Sequence, residues 1–172
     1  MPKGEIATVA AVPVVKLTRM PLSPIRPRAW AILFARLVLG FIFFMAGVFK
    51  VFSLTPVGHV RRWFLPYQDT FLPTWALWAV GLSIPFIELI GGLLLIVGWR
   101  VYHALLALGM VLVIVTFGHL LKEPLYPFHE HVIPRLALLL FLLVMPRGED
   151  RFSLDFFFAS RSGEEPQGAS KT

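Results

Sequence analysis

One carboxylate stands alone in an apolar stretch that is long enough to cross a membrane. Glu88 is the only charged residue in the run 74–98, and about 20 apolar residues suffice for a bilayer-spanning helix. A charge at that depth is costly, so it normally faces other protein and has a partner. Pro85 weakens the helix before Glu88, while Gly91 and Gly92 after it let a neighbouring helix approach closely. The sequence therefore predicts a buried partner for Glu88.

Two cations of the preceding apolar run are candidates for that partner. They are Arg36 and Lys50, the two ends of a stripe on one predicted helix face. The stripe steps by four, three, four and three residues through Arg36, Gly40, Phe43, Gly47 and Lys50. The stripe carries two charges and two glycines, so we expect it to face the rest of the protein.

Depth favours Arg36 over Lys50 as the partner. Counted at 1.5 Å per residue from the expected helix ends, Arg36 lies roughly 9 Å and Glu88 roughly 15 Å from the same membrane face. Lys50 lies near the opposite face and would reach Glu88 only if the helices were offset by several turns. We expect an Arg36–Glu88 pair, which either fixes helix packing or serves as a proton-relay or quinone-facing group.

A second set of polar residues falls in the connections expected on the outer face. It comprises His59, Asp69, His119, His129, Glu130, His131 and Arg135. Imidazoles bind metals and hydrogen-bond carbonyls near neutral pH, so a metal or a quinone headgroup is conceivable chemistry there. The residues lack recognised zinc spacing, and His129 and His131 would diverge on a helix. The sequence therefore predicts no metal site, and the alternative is a polar cluster at the level of the lipid headgroups.

Composition sets the class of the protein. The 172 residues are 57% hydrophobic and 15% charged, whereas soluble domains are usually nearer one-quarter charged. The chain has no cysteine, which excludes thiol–disulfide chemistry and cysteine-ligated clusters within it. The formal net charge is +6, and most of the basic residues flank apolar runs. That distribution is typical of membrane proteins and not of nucleic-acid binding. The lipid bilayer is the expected partner.

The predicted fold class is an all-α, four-helix transmembrane bundle. The boundaries are a disordered basic tail over 1–28, a membrane domain over 29–159 and a disordered tail over 160–172. An interfacial helix is expected at about 57–65, between the first two spans, because Arg61 and Arg62 adjoin Trp63 and Phe64. The fourth span is short and reaches full length only if it begins near Phe128, or is tilted and partly covered by protein.

Three separated motifs resemble the DoxX family of four-helix bacterial membrane proteins. The first joins Arg36-Leu37-x-Leu39-Gly40 to Phe43, Ala46-Gly47 and Lys50. The second is Glu88-Leu89-x-Gly91-Gly92-x-Leu94-Leu95-x-x-Gly98, and the third is the ending Arg151-Phe152-Ser153-Leu154-Asp155. Together they cover roughly residues 36–156 in the family's order.

The resemblance implies three functions, and it leaves open whether the chain is an enzyme. The first is an accessory or anchoring subunit for a redox-linked membrane process, with a redox protein as partner. The second is a quinone-interacting oxidoreductase subunit, since the family takes its name from a membrane subunit of a thiosulfate:quinone oxidoreductase. The third is a small-molecule carrier. The family also implies the bacterial inner membrane. The long proline-rich tail and the histidine-rich outer loop depart from the family pattern, so thiosulfate activity is not carried over.

Topology can be predicted from charge and tested directly. The N-terminal tail, the Arg100 turn and the C-terminal segment carry ten Lys or Arg residues, against three in the other connections. Four spans with both termini cytoplasmic satisfy that asymmetry. Reporter fusions after Arg100 and after Lys122 should therefore report opposite sides of the membrane. Two fusions on the same side would contradict the span count.

Overall fold

The described chain is built of helices and turns. The computed structural model describes residues 27–123 and 128–162. Its helices are α1 Pro27–Val48, α2 Pro56–His59, α3 Thr74–Val97, α4 Val101–Lys122, α5 Phe128–His131, α6 Ile133–Val144 and α7 Leu154–Ser162. One π-helical turn, Phe49–Ser53, continues α1, and a second, Val60–Phe64, continues α2 into a 3-10 turn at Leu65–Tyr67. The prediction of an all-α fold is confirmed.

Close packing of α1 against α3 sets the geometry of the bundle. A Cβ atom on Gly47 would lie 2.4 Å from the backbone nitrogen of Leu89, and one on Gly92 would lie 2.3 Å from that of Phe44. Neither position can hold a side chain without moving a backbone. The small residues let the two helices meet at backbone distance, as is common in membrane bundles.

These contacts also fix the register of the two antiparallel helices. Gly40 lies against Ile96, Phe44 against Gly92 and Gly47 against Leu89, all in one register. The end of α3 therefore lies level with the middle of α1, so the first three turns of α1 extend past α3. The C-terminal segment covers that overhang, where Arg36 hydrogen-bonds the backbone of Phe152. We call this end of the bundle the turn end, after the α3–α4 turn at residues 98–100.

Three helical stretches are long and apolar enough to cross a membrane among the described residues. They are Pro27–Ser53, Thr74–Val97 and Val101–Lys122. The expected fourth span begins at Phe128, but its helix is interrupted at Val132 and resumes as α6 over 12 residues. At 1.5 Å per residue, α5 and α6 together extend about 25 Å, less than the roughly 30 Å apolar core of a bilayer.

The predicted helical segment between the first two spans is confirmed. Thr55, at φ 64°, caps it by accepting a hydrogen bond from the Gly58 amide at 3.1 Å. Val60 is fully buried, while the charged residues beside it are exposed. The segment packs on the half of α3 remote from the turn end, because Val60 and Phe64 both contact the position of Gly81. We call that half of the bundle the cavity end.

The two predicted tails lie largely outside the described residues. Residues 1–26, 124–127 and 163–172 are not described, so the expectation of disorder at both ends stays a prediction. The structure begins α1 at Pro27 and ends α7 at Ser162, close to the predicted limits 29 and 159 of the membrane domain.

Gly47→Ala should destabilise the bundle because its methyl group would meet the backbone of α3. Overpacking of this kind typically costs about 1–3 kcal/mol, which exceeds the roughly 1 kcal/mol that alanine gains over glycine in a helix. Thermal unfolding of the detergent-solubilised protein should show a lower midpoint. Gly109→Ala is the matched control, since its Cβ would make ordinary contacts at 3.7 Å. Equal midpoints for the two variants would contradict the backbone-level packing.

Candidate functional site

Arg36 closes the turn end of the bundle. Its guanidinium donates from Nη1 to the carbonyl of Leu95 at 3.0 Å and from Nη2 to that of Phe152 at 3.2 Å. Leu95 lies in the last turn of α3, where carbonyls lack partners within the helix and a cation is favourable. Asp150 balances the charge, with its Oδ2 3.4 Å from Arg36 Nε. Burial raises the pKa of Asp150, and the guanidinium opposes that shift.

The C-terminal Ser-Leu-Asp motif holds this end together. Ser153 is the N-cap of α7, where its hydroxyl accepts from the Phe156 amide at 3.1 Å and donates to the Asp150 carbonyl at 2.7 Å. The Asp155 carboxylate accepts from the amides of Arg100 and Val101 at 2.8 and 2.9 Å, which caps the start of α4. The Ser153 hydroxyl, the Asp155 carboxylate and both Nη atoms of Arg36 are therefore engaged in hydrogen bonds that join the C-terminal segment to the helix ends.

The predicted Arg36–Glu88 pair is wrong. The partner of Glu88 is Lys50, whose Nζ donates to Oε2 at 2.5 Å. In the observed register Glu88 lies opposite Val48, within one turn of Lys50 and roughly 18 Å along the axis from Arg36. The residue counts assumed that the ends of α1 and α3 are level, whereas α1 extends three turns further. This offset of α1 relative to α3 brings Lys50 within reach of Glu88, as the alternative pairing with Lys50 required.

Lys50 lies on a distorted turn. It belongs to the π-helical turn Phe49–Ser53, which widens α1 at its end. Such bulges occur frequently at functional sites. The Lys50 side chain is 23% exposed and that of Glu88 is 7% exposed. The ammonium thus has donors left beyond the one that Glu88 accepts.

His59 is held by a carbonyl that Pro85 leaves free. Proline has no N–H, so Pro85 cannot donate to the carbonyl of Gly81 four residues earlier. His59 Nδ1 meets that oxygen at 2.8 Å, and the ring is 4% exposed. Burial lowers the pKa of His59, and the charge of Lys50 adds to the shift. The neutral ring therefore contributes stability above the pKa of an unfolded histidine, about 6.5, and that contribution falls on acidification.

A cavity of about 860 Å³ joins these groups at the cavity end. It is bordered by the end of α1, the segment after α2, the N-terminal half of α3, the C-terminal half of α4 and the start of α6. Its polar lining is Lys50, His59, Arg62, Glu88, His119, Lys122, Glu123, His131 and Arg135, and the remainder is mostly apolar and aromatic. Lys122 also closes the rim, where its ammonium donates to the Pro66 carbonyl and lies 5.1 Å from the Tyr67 ring.

The structure brings some predicted site residues together and leaves others apart. From the predicted outer cluster, His59, His119, His131 and Arg135 line the cavity together with Lys50 and Glu88. Asp69 is exposed in a turn outside it. Glu130 is also exposed, 3.9 Å from His131 Nε2. The side chain of His129 lies outside the described part of the chain.

Two features of this arrangement went unrecognised in the sequence. One is Asp150, the carboxylate beside Arg36, which carries no sequence signal beyond a polar loop. The other is the contact between Gly81 and His59, for which a signal existed: proline inside a helix frees the carbonyl four residues before it. A mostly apolar cavity with a few converging polar groups is typical of small-molecule sites. The arrangement can hold an apolar ring system and hydrogen-bond its polar atoms.

Comparison with known proteins identifies a family. The model of the DoxX family matches residues 31–120, which include the first motif and the second, with its Glu88. No curated protein and no solved structure matches the chain.

Coupling between Lys50 and Glu88 should be measurable by a double-mutant cycle. Glu88→Gln and Lys50→Met should each lower the free energy of unfolding in bicelles, by up to about 3–5 kcal/mol, because each strands a buried charge. The double variant should recover part of that loss. Arg36→Gln combined with Glu88→Gln serves as the matched cycle and should show additive losses. Coupling in the Arg36 cycle without coupling in the Lys50 cycle would contradict the observed pairing.

Proposed function

Since this chain belongs to the DoxX family, we propose that it is an accessory subunit of a redox-linked membrane process and that its cavity binds a quinone. It is a multi-pass integral membrane protein, as its apolar helices and its family indicate. The cavity is the observation that supports quinone binding. A subunit that only anchored another protein would have no use for a large apolar cavity with a buried ion pair on its wall.

The lining suits the quinone class in size and chemistry. A volume of about 860 Å³ lies within the roughly 300–1,000 Å³ of small-molecule sites. Phe43, Phe49, Trp63 and Phe64 supply aromatic surface for a flat ring. The Lys50 ammonium retains donors for a carbonyl oxygen after its bond to Glu88. A quinone would supply electron-accepting chemistry, and these residues would bind and orient it.

The hydrogen bonds at the turn end and the family resemblance support the accessory part of the proposal. Arg36 and Asp155 at the turn end hydrogen-bond the ends of α3 and α4, whereas the ionisable groups at the cavity end line the cavity. Electrons for a bound quinone would then come from a redox protein that docks on this subunit. The family resemblance supports such a partner.

Quinone binding can be tested on the purified protein. Trp63 lines the cavity, so decylubiquinone titrated into the nanodisc-embedded chain should quench its fluorescence saturably. A Cβ on Gly118, also in the lining, would meet nothing within 4 Å, so Gly118→Leu is chosen to add apolar volume at the cavity wall. That variant should weaken binding by about tenfold or more, by loss of apolar contact and space. Ala107→Leu, on the exposed face of α4, is the matched control and should leave binding unchanged.

Two outcomes would overturn the quinone assignment. One is the absence of saturable quenching in wild-type protein that unfolds cooperatively. The other is equal binding by Gly118→Leu and Ala107→Leu, which would place the quinone elsewhere. Co-purification of a redox protein without any quinone binding would support the anchoring role alone.

A further inference from the structure

The two ring nitrogens of His59 have unequal roles. The Gly81 carbonyl oxygen can only accept a hydrogen bond, so Nδ1, at 2.8 Å, must carry the proton. This bond exists because Pro85 removes the helix donor that would otherwise satisfy Gly81. The contact is enclosed, because Val60 and Phe64 pack against Gly81 and the His59 ring lies 5.4 Å from that of Phe64.

A neutral ring with its proton on Nδ1 presents a bare acceptor at Nε2. Burial and the nearby Lys50 charge lower the pKa of His59 and favour the neutral form, although the Gly81 hydrogen bond acts in the opposite direction. Among the residues that the structure describes, Nε2 has no hydrogen-bond partner, and His59 lines the cavity. An acceptor on the wall of a mostly apolar cavity gains a hydrogen bond only from a molecule that brings a donor, so Nε2 favours a ligand that carries one.

We infer that His59 makes this cavity selective for ligands bearing a ring hydroxyl, so that it holds a quinol, the reduced form, in preference to a quinone. The hydroxyl would donate to His59 Nε2, a bond that a carbonyl cannot make. The inference rests on the proposed quinone site and adds which redox form the site prefers. A site of this kind takes up quinol that a separate reduction has produced, or retains the product of quinone reduction.

The selectivity can be measured with two probes that differ by methylation of the donor hydroxyl. The probes are 4-nonylphenol and its methyl ether, 4-nonylanisole, which accepts but cannot donate a hydrogen bond. Competition against decylubiquinone quenching in nanodiscs reports both affinities. The phenol should bind roughly tenfold tighter than the ether, the ratio expected for one net hydrogen bond.

The variant His59→Asn distinguishes the roles of the two ring nitrogens. The asparagine amide nitrogen can take the place of Nδ1 and donate to Gly81, but nothing replaces Nε2. The phenol-to-ether ratio should fall to within about twofold in variant protein that still quenches saturably with decylubiquinone. His103→Asn is the matched control, because His103 is exposed near the turn end and outside the cavity lining. It should keep the wild-type ratio.

A second variant and a direct observation cover the case in which His59→Asn does not fold. Pro85→Ala restores a helix donor to Gly81, which releases the His59 tautomer, so the ratio should fall there too. Ring ¹⁵N spectra of histidine-labelled protein should show one neutral ring protonated at Nδ1. The resonance of that ring should disappear or shift in Pro85→Ala. A wild-type ring protonated at Nε2, or equal binding of phenol and ether with intact decylubiquinone binding, would overturn the inference alone. Failure of all three ligands to bind would overturn the quinone site itself.

Discussion

Backbone-level contact between α1 and α3 is the constraint on which the rest of the structure depends. Gly47 and Gly92 make the observed antiparallel register possible, since a Cβ on either would meet the backbone of the other helix. Membrane helices gain little from apolar burial against each other, so close packing and polar contacts decide how they associate. The register places Lys50 beside Glu88 and Arg36 beside the end of α3. The two charged clusters are consequences of the glycines.

The backbone N–H that Pro85 lacks is the corresponding constraint at the cavity end. Pro85 leaves one carbonyl of α3 without its helix partner, and a membrane interior offers no water to satisfy it. His59 meets that need from the segment that follows α1. The bond draws the connecting segment against α3 at Gly81, where the absence of a side chain makes room for Val60 and Phe64. The cavity wall is built from this contact.

Sequence reasoning reached the helix content and the helix faces because both follow from local periodicity. The stripe from Arg36 to Lys50 does face the rest of the protein, because Gly40 and Gly47 pack against α3. The partner of Glu88 was mistaken because depth was counted from helix ends assumed to be level. The offset between two helices is a tertiary property. The positions of the glycines on both helices were the only signal for it in the sequence. Asp150 could not be found, because its role depends on the C-terminal segment folding back over α1.

The two buried charge clusters differ in what their structural roles explain. A buried ion pair typically adds little stability over well-packed apolar residues of the same volume. Arg36 nevertheless has an evident task, because it satisfies carbonyls of two segments that would otherwise lack donors. The Lys50–Glu88 pair satisfies only itself, beside glycine contacts that already fix the register. It borders a cavity, lies on a π-helical turn, and leaves ammonium donors unused by Glu88. Retaining two costly charges there is understandable if a ligand uses them, which is the physical reason for seeking function at Lys50 and Glu88 and not at Arg36.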